Sequence, residues 1–347
     1  MGVKKPRVLI TGGAGFLGSH VARRLLDAGC DVIVLDFFHQ YIYPLAPSFL
    51  ENMQYRHEVL LNGAQVIRGN INNKEDLRRQ IIKAEPSIII HLAALPLANV
   101  ALWQTEEAFD SIVYATFNLA DIVGDFTFIK KFVYVSSSMI YGDFETIPMP
   151  EDGRKNPKDV YGSMKLTGEI LVKSLCRKHD VPYAIIRPSA IYGPTDNNRR
   201  VLQIFVENAL TNKPLEVTNP QATFLDFTYV EDAAEGISLA VLSDKADNQE
   251  FNVTRGEGRS LQDAIDVLQK IFGQLEVRTK PENAKFRPSR GALDVSKAKK
   301  LLGYKPAHSL EEGLARYVDY VRRVNKSLLE EKNQKPQRLA KKTSPAR

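Results

Sequence analysis

TGGAGFLGSH, residues 11–20, carries Gly12, Gly15 and Gly18 at three-residue intervals between an apolar run at 7–10 and an amphipathic stretch at 18–28. Glycines there let the backbone turn sharply and approach a pyrophosphate, whose charge is favoured at the N-terminus of the following helix. A glycine-rich loop alone is weak evidence. Here a strand precedes it, a helix follows it, and the next apolar run, DVIVLD, ends in Asp36, eighteen residues beyond Gly18. A carboxylate at that point accepts hydrogen bonds from ribose hydroxyls and repels a 2′-phosphate, so the expected cofactor is NAD rather than NADP.

Outward from this loop, β-branched apolar runs near 7–10, 31–36, 64–69, 87–92, 131–136 and 183–187 alternate with helical patterns. That rhythm indicates an α/β fold, a parallel sheet covered by helices on both faces. The most apolar stretch, SIIIHLAALPLANVALW at 87–103, is short for a membrane span and is interrupted by His91, Pro96 and Asn99. It reads as a buried strand followed by a loop. Beyond Arg187 the pattern shifts to short strands, Pro and Gly breaks, and helices at 260–272 and 309–323, which suits a smaller lobe capping the sheet.

The 347 residues, 44% hydrophobic, suffice for one large or two modest domains. The net charge of +6 resides in Lys332, Lys335, Arg338, Lys341, Lys342 and Arg347; without these six, 41 basic residues face 41 acidic ones. A neutral body argues against a nucleic-acid partner, and the basic end at 329–347 is expected to be a disordered tail. Cys30 and Cys176 are far apart and lack metal-ligand spacing, so neither a disulfide framework nor a metal is expected and a cytoplasmic setting fits. No apolar leader precedes the VLI run at 8–10, and no secretory signal is expected.

YGSMK at 161–165 sets Tyr161 and Lys165 four residues apart. On a helix they occupy neighbouring turns of one face, where an ammonium stabilises a phenolate, lowers its pKa and makes it a base. Chance also produces such pairs, so partners must be sought. SSS at 136–138 follows the run KFVYV, at the strand end where open α/β sheets place ligands, although serines after a strand also serve as turn residues. His91, at the end of another apolar run, is expected to be packed rather than catalytic.

TGGAGFLG (11–18), HLAA (91–94), SSSMIYG (136–142), YGSMK, RPSAIYGP (187–194), DFTYVEDAAEGI (226–237) and LDVSKAKKLLGYKP (293–306) follow one another in this order. Together they resemble the extended short-chain dehydrogenase/reductase family, in its NAD-dependent nucleotide-sugar epimerase/dehydratase branch, over most of the chain to about residue 325. The resemblance implies a Rossmann doubly wound parallel sheet at 1–187, rejoined by 226–245, that holds NAD. It also implies a smaller C-terminal α/β substrate-binding lobe at 188–328, and a homodimer. Matched motif by motif, Ser137, Tyr161 and Lys165 are the implied catalytic set. Gly12, Gly15, Phe16, Leu17, Asp36, Asn70, Ile71, Leu92, Ala93, Ala94 and Pro188 are implied around the cofactor, with Tyr161 and Lys165. Ser137, Ser138, Met139, Arg199, Arg287 and Arg290 are implied at a nucleotide-sugar substrate; Arg200 lies in the same segment as Arg199, and guanidinium forks suit phosphate.

In this family's chemistry Tyr161 as phenolate would take a proton from a sugar hydroxyl while hydride leaves the same carbon for NAD. Ser137 would orient the hydroxyl and Lys165 would support the phenolate. A 4-keto sugar that turns over and regains its hydride makes the protein a C4 epimerase. A 4,6-dehydratase carries an Asp-Glu pair where this chain has Ser138 and Met139, so dehydration is disfavoured. A 4-dehydrogenase and a glucuronate-type decarboxylase remain alternatives, with a non-catalytic NAD-binding protein more distant. Asn70 stands where Asp is usual. Ala190 replaces Asn and Leu225 replaces Arg, which speaks against an ordinary UDP-sugar pose; Ile112 replaces an Asn common near the active site, which implies a different local water network.

Overall fold

The computed structural model describes residues 5–281 and 288–326. Arg287 and the basic end at 329–347 lie outside the described residues. The six apolar runs form strands β1 (Arg7–Thr11), β2 (Asp31–Asp36), β3 (Gln65–Arg68), β4 (Ile88–His91), β5 (Lys131–Val135) and β6 (Tyr183–Arg187). A further strand, Gln249–Asn252, adds to β6. The sheet runs Gln249–Asn252, β6, β5, β4, β1, β2, β3, with every pairing parallel. Chain order reverses between β1 and β4, and this opens a crevice at their C-terminal ends, where open sheets bind ligands.

Both faces are covered, so the strands have little need of polar residues. On one face the helices Phe16–Asp27 and Val230–Leu242 bury Leu25, Ala234 and Ile237 against Val8, Ile10 and Val34. On the other, Lys74–Ala84, Ala115–Val123 and Val160–Lys178 bury Leu77, Leu119 and Val172 against Leu9 and Ile33. A second core joins Val201–Leu210, Leu261–Phe272 and Leu310–Val324 through Phe205, Leu268, Leu314 and Tyr317. The last two helices begin in capping boxes, Ser260 with Asp263 and Ser309 with Glu312, which satisfy backbone donors that the first turn leaves free.

One local expectation fails. After β4 the chain does not stay a loop: ANVALW contains no breaker beyond Pro96, and Ala98–Trp103 closes into a short helix. It leaves Trp103 88% exposed.

The helix Val160–Lys178 is tied to the sheet by a buried ion pair. Arg187 Nε and Nη2 donate to Glu169 Oε1 and Oε2 at 2.9 and 2.8 Å, and both side chains are almost fully buried. Arg187 Nη1 also donates to the Tyr141 hydroxyl (2.9 Å) and the Glu151 carbonyl (2.7 Å). Tyr141 donates onward to Asn252 Oδ1 at 2.8 Å. Burial works against the Arg187 charge, yet Glu169 and then Tyr141 hold its pKa above the ordinary value. Glu169→Ala leaves that guanidinium buried and uncompensated. The expected loss in urea unfolding is about 3–5 kcal/mol; a loss below about 1 kcal/mol would contradict this account.

Candidate active site

A cleft of about 960 Å³ opens over β1 and β4, with the glycine-rich loop as its floor. Two glycines are required by contact. Gly12 has φ +71°, and a Cβ there would stand 2.6 Å from the Ala93 nitrogen; a Cβ on Gly18 would collide with the Gly12 carbonyl. The loop therefore lies directly against 92–93, and a bulky anion can meet backbone at the start of Phe16–Asp27. Gly15, Phe16 and Leu17 line this end, and Leu92, Ala93 and Ala94 form the opposite wall. These features fit the pyrophosphate of a dinucleotide.

Asp36 ends β2 at the cleft edge. Its Oδ2 accepts from Ala14 N (3.0 Å) and its Oδ1 from Phe38 N (2.8 Å). Burial raises the Asp36 pKa, and these backbone donors counter it. Asn70 and Ile71 line the same end. Asn70 Oδ1 accepts from Asn72 N at 2.9 Å, so its acceptor also closes a turn.

Asp159 caps the helix that carries YGSMK, its Oδ1 accepting from Gly162 N at 2.8 Å. Tyr161 and Lys165 both line the cleft, as does Pro188 at the end of β6. Lys165 is buried: Nζ donates to the Val135 carbonyl at 2.9 Å and lies 5.2 Å from the Tyr134 ring centre and 6.0 Å from that of Tyr161. Burial lowers its pKa to about 8, against the pull of Glu169. The expected depression of Tyr161 is not found. Desolvation pushes this phenol up to about 12, while Arg200 and then the Ser137 hydroxyl pull it down. Lys165 is not among the groups that shift it: with its own pKa lowered to about 8, it gives up its proton before a phenol pushed up to about 12 can ionise.

Ser137 caps a short turn, Ser138–Tyr141, its Oγ accepting from Met139 N at 3.2 Å, and so stands beside Tyr161. Ser138 is buried, its backbone N–H donating to the Pro188 carbonyl, and Met139 is half-buried. The hydroxyl of Ser136, which lines the cleft, is buried without a hydrogen-bond partner among the described residues.

Of the two adjacent arginines, Arg200 lines the cleft and Arg199 does not. Arg199, at φ +55°, turns to pair with Glu207 at 3.1 Å. Arg200 pairs with Asp196 (2.9 Å) and lies over the Phe16 ring (5.5 Å). Arg290 acts on Asp159 at the foot of the tyrosine helix rather than lining the cleft. Leu225 pairs in register with Arg259, whose charge is taken by Glu257, Asp263 and Glu311. Ile112 is fully buried in an apolar cluster with Leu95, Ala101 and Ala108, against which Tyr161 packs. His91 is packed: its ring nitrogens meet Thr11 (2.8 Å) and Thr116 (3.0 Å), and burial lowers its pKa to about 3.

A model of the NAD dependent epimerase/dehydratase family matches residues 8–254. The chain belongs to this family. This member is 27% identical to the probable UDP-glucuronate 4-epimerase of Rhizobium meliloti over 336 residues, 90% of this chain and 96% of that protein. Its fold is similar to that of UDP-glucuronic acid 4-epimerase from Bacillus cereus in complex with UDP-glucuronic acid and NAD (TM-score 0.82, 27% identity, 91% of this chain and 99% of that one). UDP-glucose 4-epimerase with UDP-glucose from Thermotoga maritima is similar to the same extent of both chains (TM-score 0.80, 27% identity).

Asp36→Asn removes the carboxylate charge at the cleft edge while keeping an acceptor. Calorimetric titration with both cofactors is expected to show the preference for NAD over NADP narrowing by about tenfold. An unchanged ratio would show that Asp36 is not the discriminating group.

Proposed function

We propose that this protein is an NAD-dependent nucleotide-sugar epimerase acting at C4 of a UDP-sugar through a transient 4-keto sugar. The observation that carries this reading is the meeting of Tyr161 and Lys165 in one cleft with the glycine-rich loop, with the Ser137 hydroxyl in hydrogen-bonding contact with Tyr161. The names of the similar 4-epimerases support the reaction and the UDP group. Gly12, Gly15, Asp36 and the 92–94 wall would hold NAD, which supplies a hydride acceptor that is restored within each cycle.

The chain's own groups account for the proton. Tyr161 takes it from the C4 hydroxyl, Ser137 holds that hydroxyl toward the phenol, and Arg200 and Ser137 favour the phenolate against the cost of burial. Lys165 keeps a positive charge under the site while its Nζ is fixed on Val135. Ser138 and Met139 offer no carboxyl for dehydration. Arg200, which lines the cleft, is a candidate for the substrate diphosphate, whereas Arg199 is committed to Glu207 and Arg290 acts on Asp159.

The exposed apolar residues Phe109, Tyr114 and Ile170, on mutually packed helical segments, support a homodimer formed through that face. Two buried free cysteines fit a cytoplasmic setting. Among the described residues no helix is long and apolar enough to cross a membrane.

Incubation with UDP-glucose and with UDP-glucuronic acid tests the reading directly. The expected product is the C4 epimer seen by proton NMR, without deuterium from solvent at C4 and without accumulating NADH. NADH build-up would favour the dehydrogenase, and loss of CO2 the decarboxylase. Tyr161→Phe is expected to lower turnover by at least about a thousandfold with NAD binding retained; normal activity would refute the assignment. Turnover should break downward as pH rises through about 8, where Lys165 loses its charge, well before the Tyr161 phenol, which burial pushes up to about 12, could titrate. Lys165→Met should abolish that break.

A further inference from the structure

Past Asp36 the chain does not leave the cleft. Phe37, His39, Gln40 and Tyr41 line it, and across from them stand Trp103 and the segment 104–111. Phe38 is held at φ +57°, a left-handed conformation that is strained for a bulky aromatic, while its N–H donates to the Asp36 carboxylate. His39 stacks on Phe37 (6.2 Å, 14°), and the Tyr41 ring is 4.5 Å away on the other side. Arg68 lies over the Phe37 ring at 5.8 Å.

Two links fasten the far end. His39 Nε2 meets Glu107 Oε1 at 2.8 Å, with both side chains about four-tenths exposed. Tyr41 packs on the apolar cluster of Leu95, Ala101, Ala108 and Ile112, the same cluster against which Tyr161 packs. The segment thus joins the strand that ends in the ribose-side carboxylate to the helical wall beside the reacting phenol.

We propose that Tyr41 and His39 are cofactor-retaining residues: pinned on the apolar cluster and on Glu107, the 37–41 segment straps the adenosine end of NAD into the cleft and sets its rate of release. The proposal rests on this cleft being the NAD site and adds to it a function for residues that the glycine loop and the catalytic set leave unused. Tyr41 is the stronger link, because an exposed hydrogen-bonded pair of side chains contributes little against water.

The test is a chase. Unaltered protein, Tyr41→Ala and His39→Ala are loaded with NAD and mixed with excess deuterium-labelled NAD, and the bound isotope is followed by mass spectrometry. Trp103, the single tryptophan of the chain and exposed at the cleft rim, reports occupancy independently through its fluorescence. Release is expected to quicken about tenfold or more in Tyr41→Ala and about twofold in His39→Ala. If Tyr41→Ala fails to fold, Tyr41→Leu, which keeps an apolar anchor, and Glu107→Gln, at a half-buried position, carry the same measurement: the first should release near the unaltered rate and the second as His39→Ala does. NAD that binds but leaves every variant at the unaltered rate overturns the strap and leaves the redox reading standing. A protein that takes up no NAD overturns both.

Discussion

The buried contact between Glu169 and Arg187 fixes the frame in which the rest of the site is built. Either charge alone in that interior would be costly, and together they are tolerable only because the pairing is bidentate and the spare donors reach Tyr141 and the Glu151 carbonyl. The helix Val160–Lys178 therefore has one rotation and one height against β6. Lys165 lies one turn before Glu169 and Tyr161 two turns before it, so locking Glu169 aims both toward the ends of β5 and β6. The same network continues through Asn252, whose amide donates to the Met149 and Asp294 carbonyls, and so joins the last strand of the sheet to the loop that follows Ser137.

Helix spacing alone makes Lys165 the group that acidifies Tyr161. In the folded chain desolvation is larger than any single attraction, and the first cation acting on the phenol is Arg200, which belongs to the segment leading into the second core. The acidity of the base is thus governed across the junction between the sheet and the smaller core. This division suits the chemistry. Lys165 is held in a fixed position by its Nζ bond to the Val135 carbonyl, while Arg200, less deeply buried and tethered by Asp196, lines the same cleft.

Where a property depended on one element, the sequence disclosed it. The six central strands are legible because burial on both faces demands continuous apolar runs, and the glycine loop because Gly12 and Gly18 have no room for a Cβ. Gln249–Asn252 has no such run; it is a strand because β6 offers it an unpaired edge and Asn252 finds partners there. The choice between Arg199 and Arg200 was equally hidden. Adjacent residues of one type differ here only through a left-handed backbone at Arg199 that sends its side chain to Glu207. The motif points to Ser137, but the weight of desolvation on Tyr161 depends on Ile112 and its neighbours, which approach from a different helix.

An epimerase and a dehydrogenase can share every catalytic atom and still differ in what becomes of the cofactor. The first regains its hydride in each cycle and gains nothing from exchange; the second must release reduced cofactor before it can turn over again. Retention is therefore a functional variable in its own right, decided by groups remote from the transferred hydride. In this chain the exposed link between His39 and Glu107 contributes about 0–1 kcal/mol, whereas packing the partly buried Tyr41 ring contributes at most about 1.5–3 kcal/mol and is insensitive to salt. The apolar anchor outweighs the ionic one. A closure built mainly on packing keeps its strength at physiological ionic strength, as expected of an enzyme whose cofactor serves as a resident group rather than as a co-substrate.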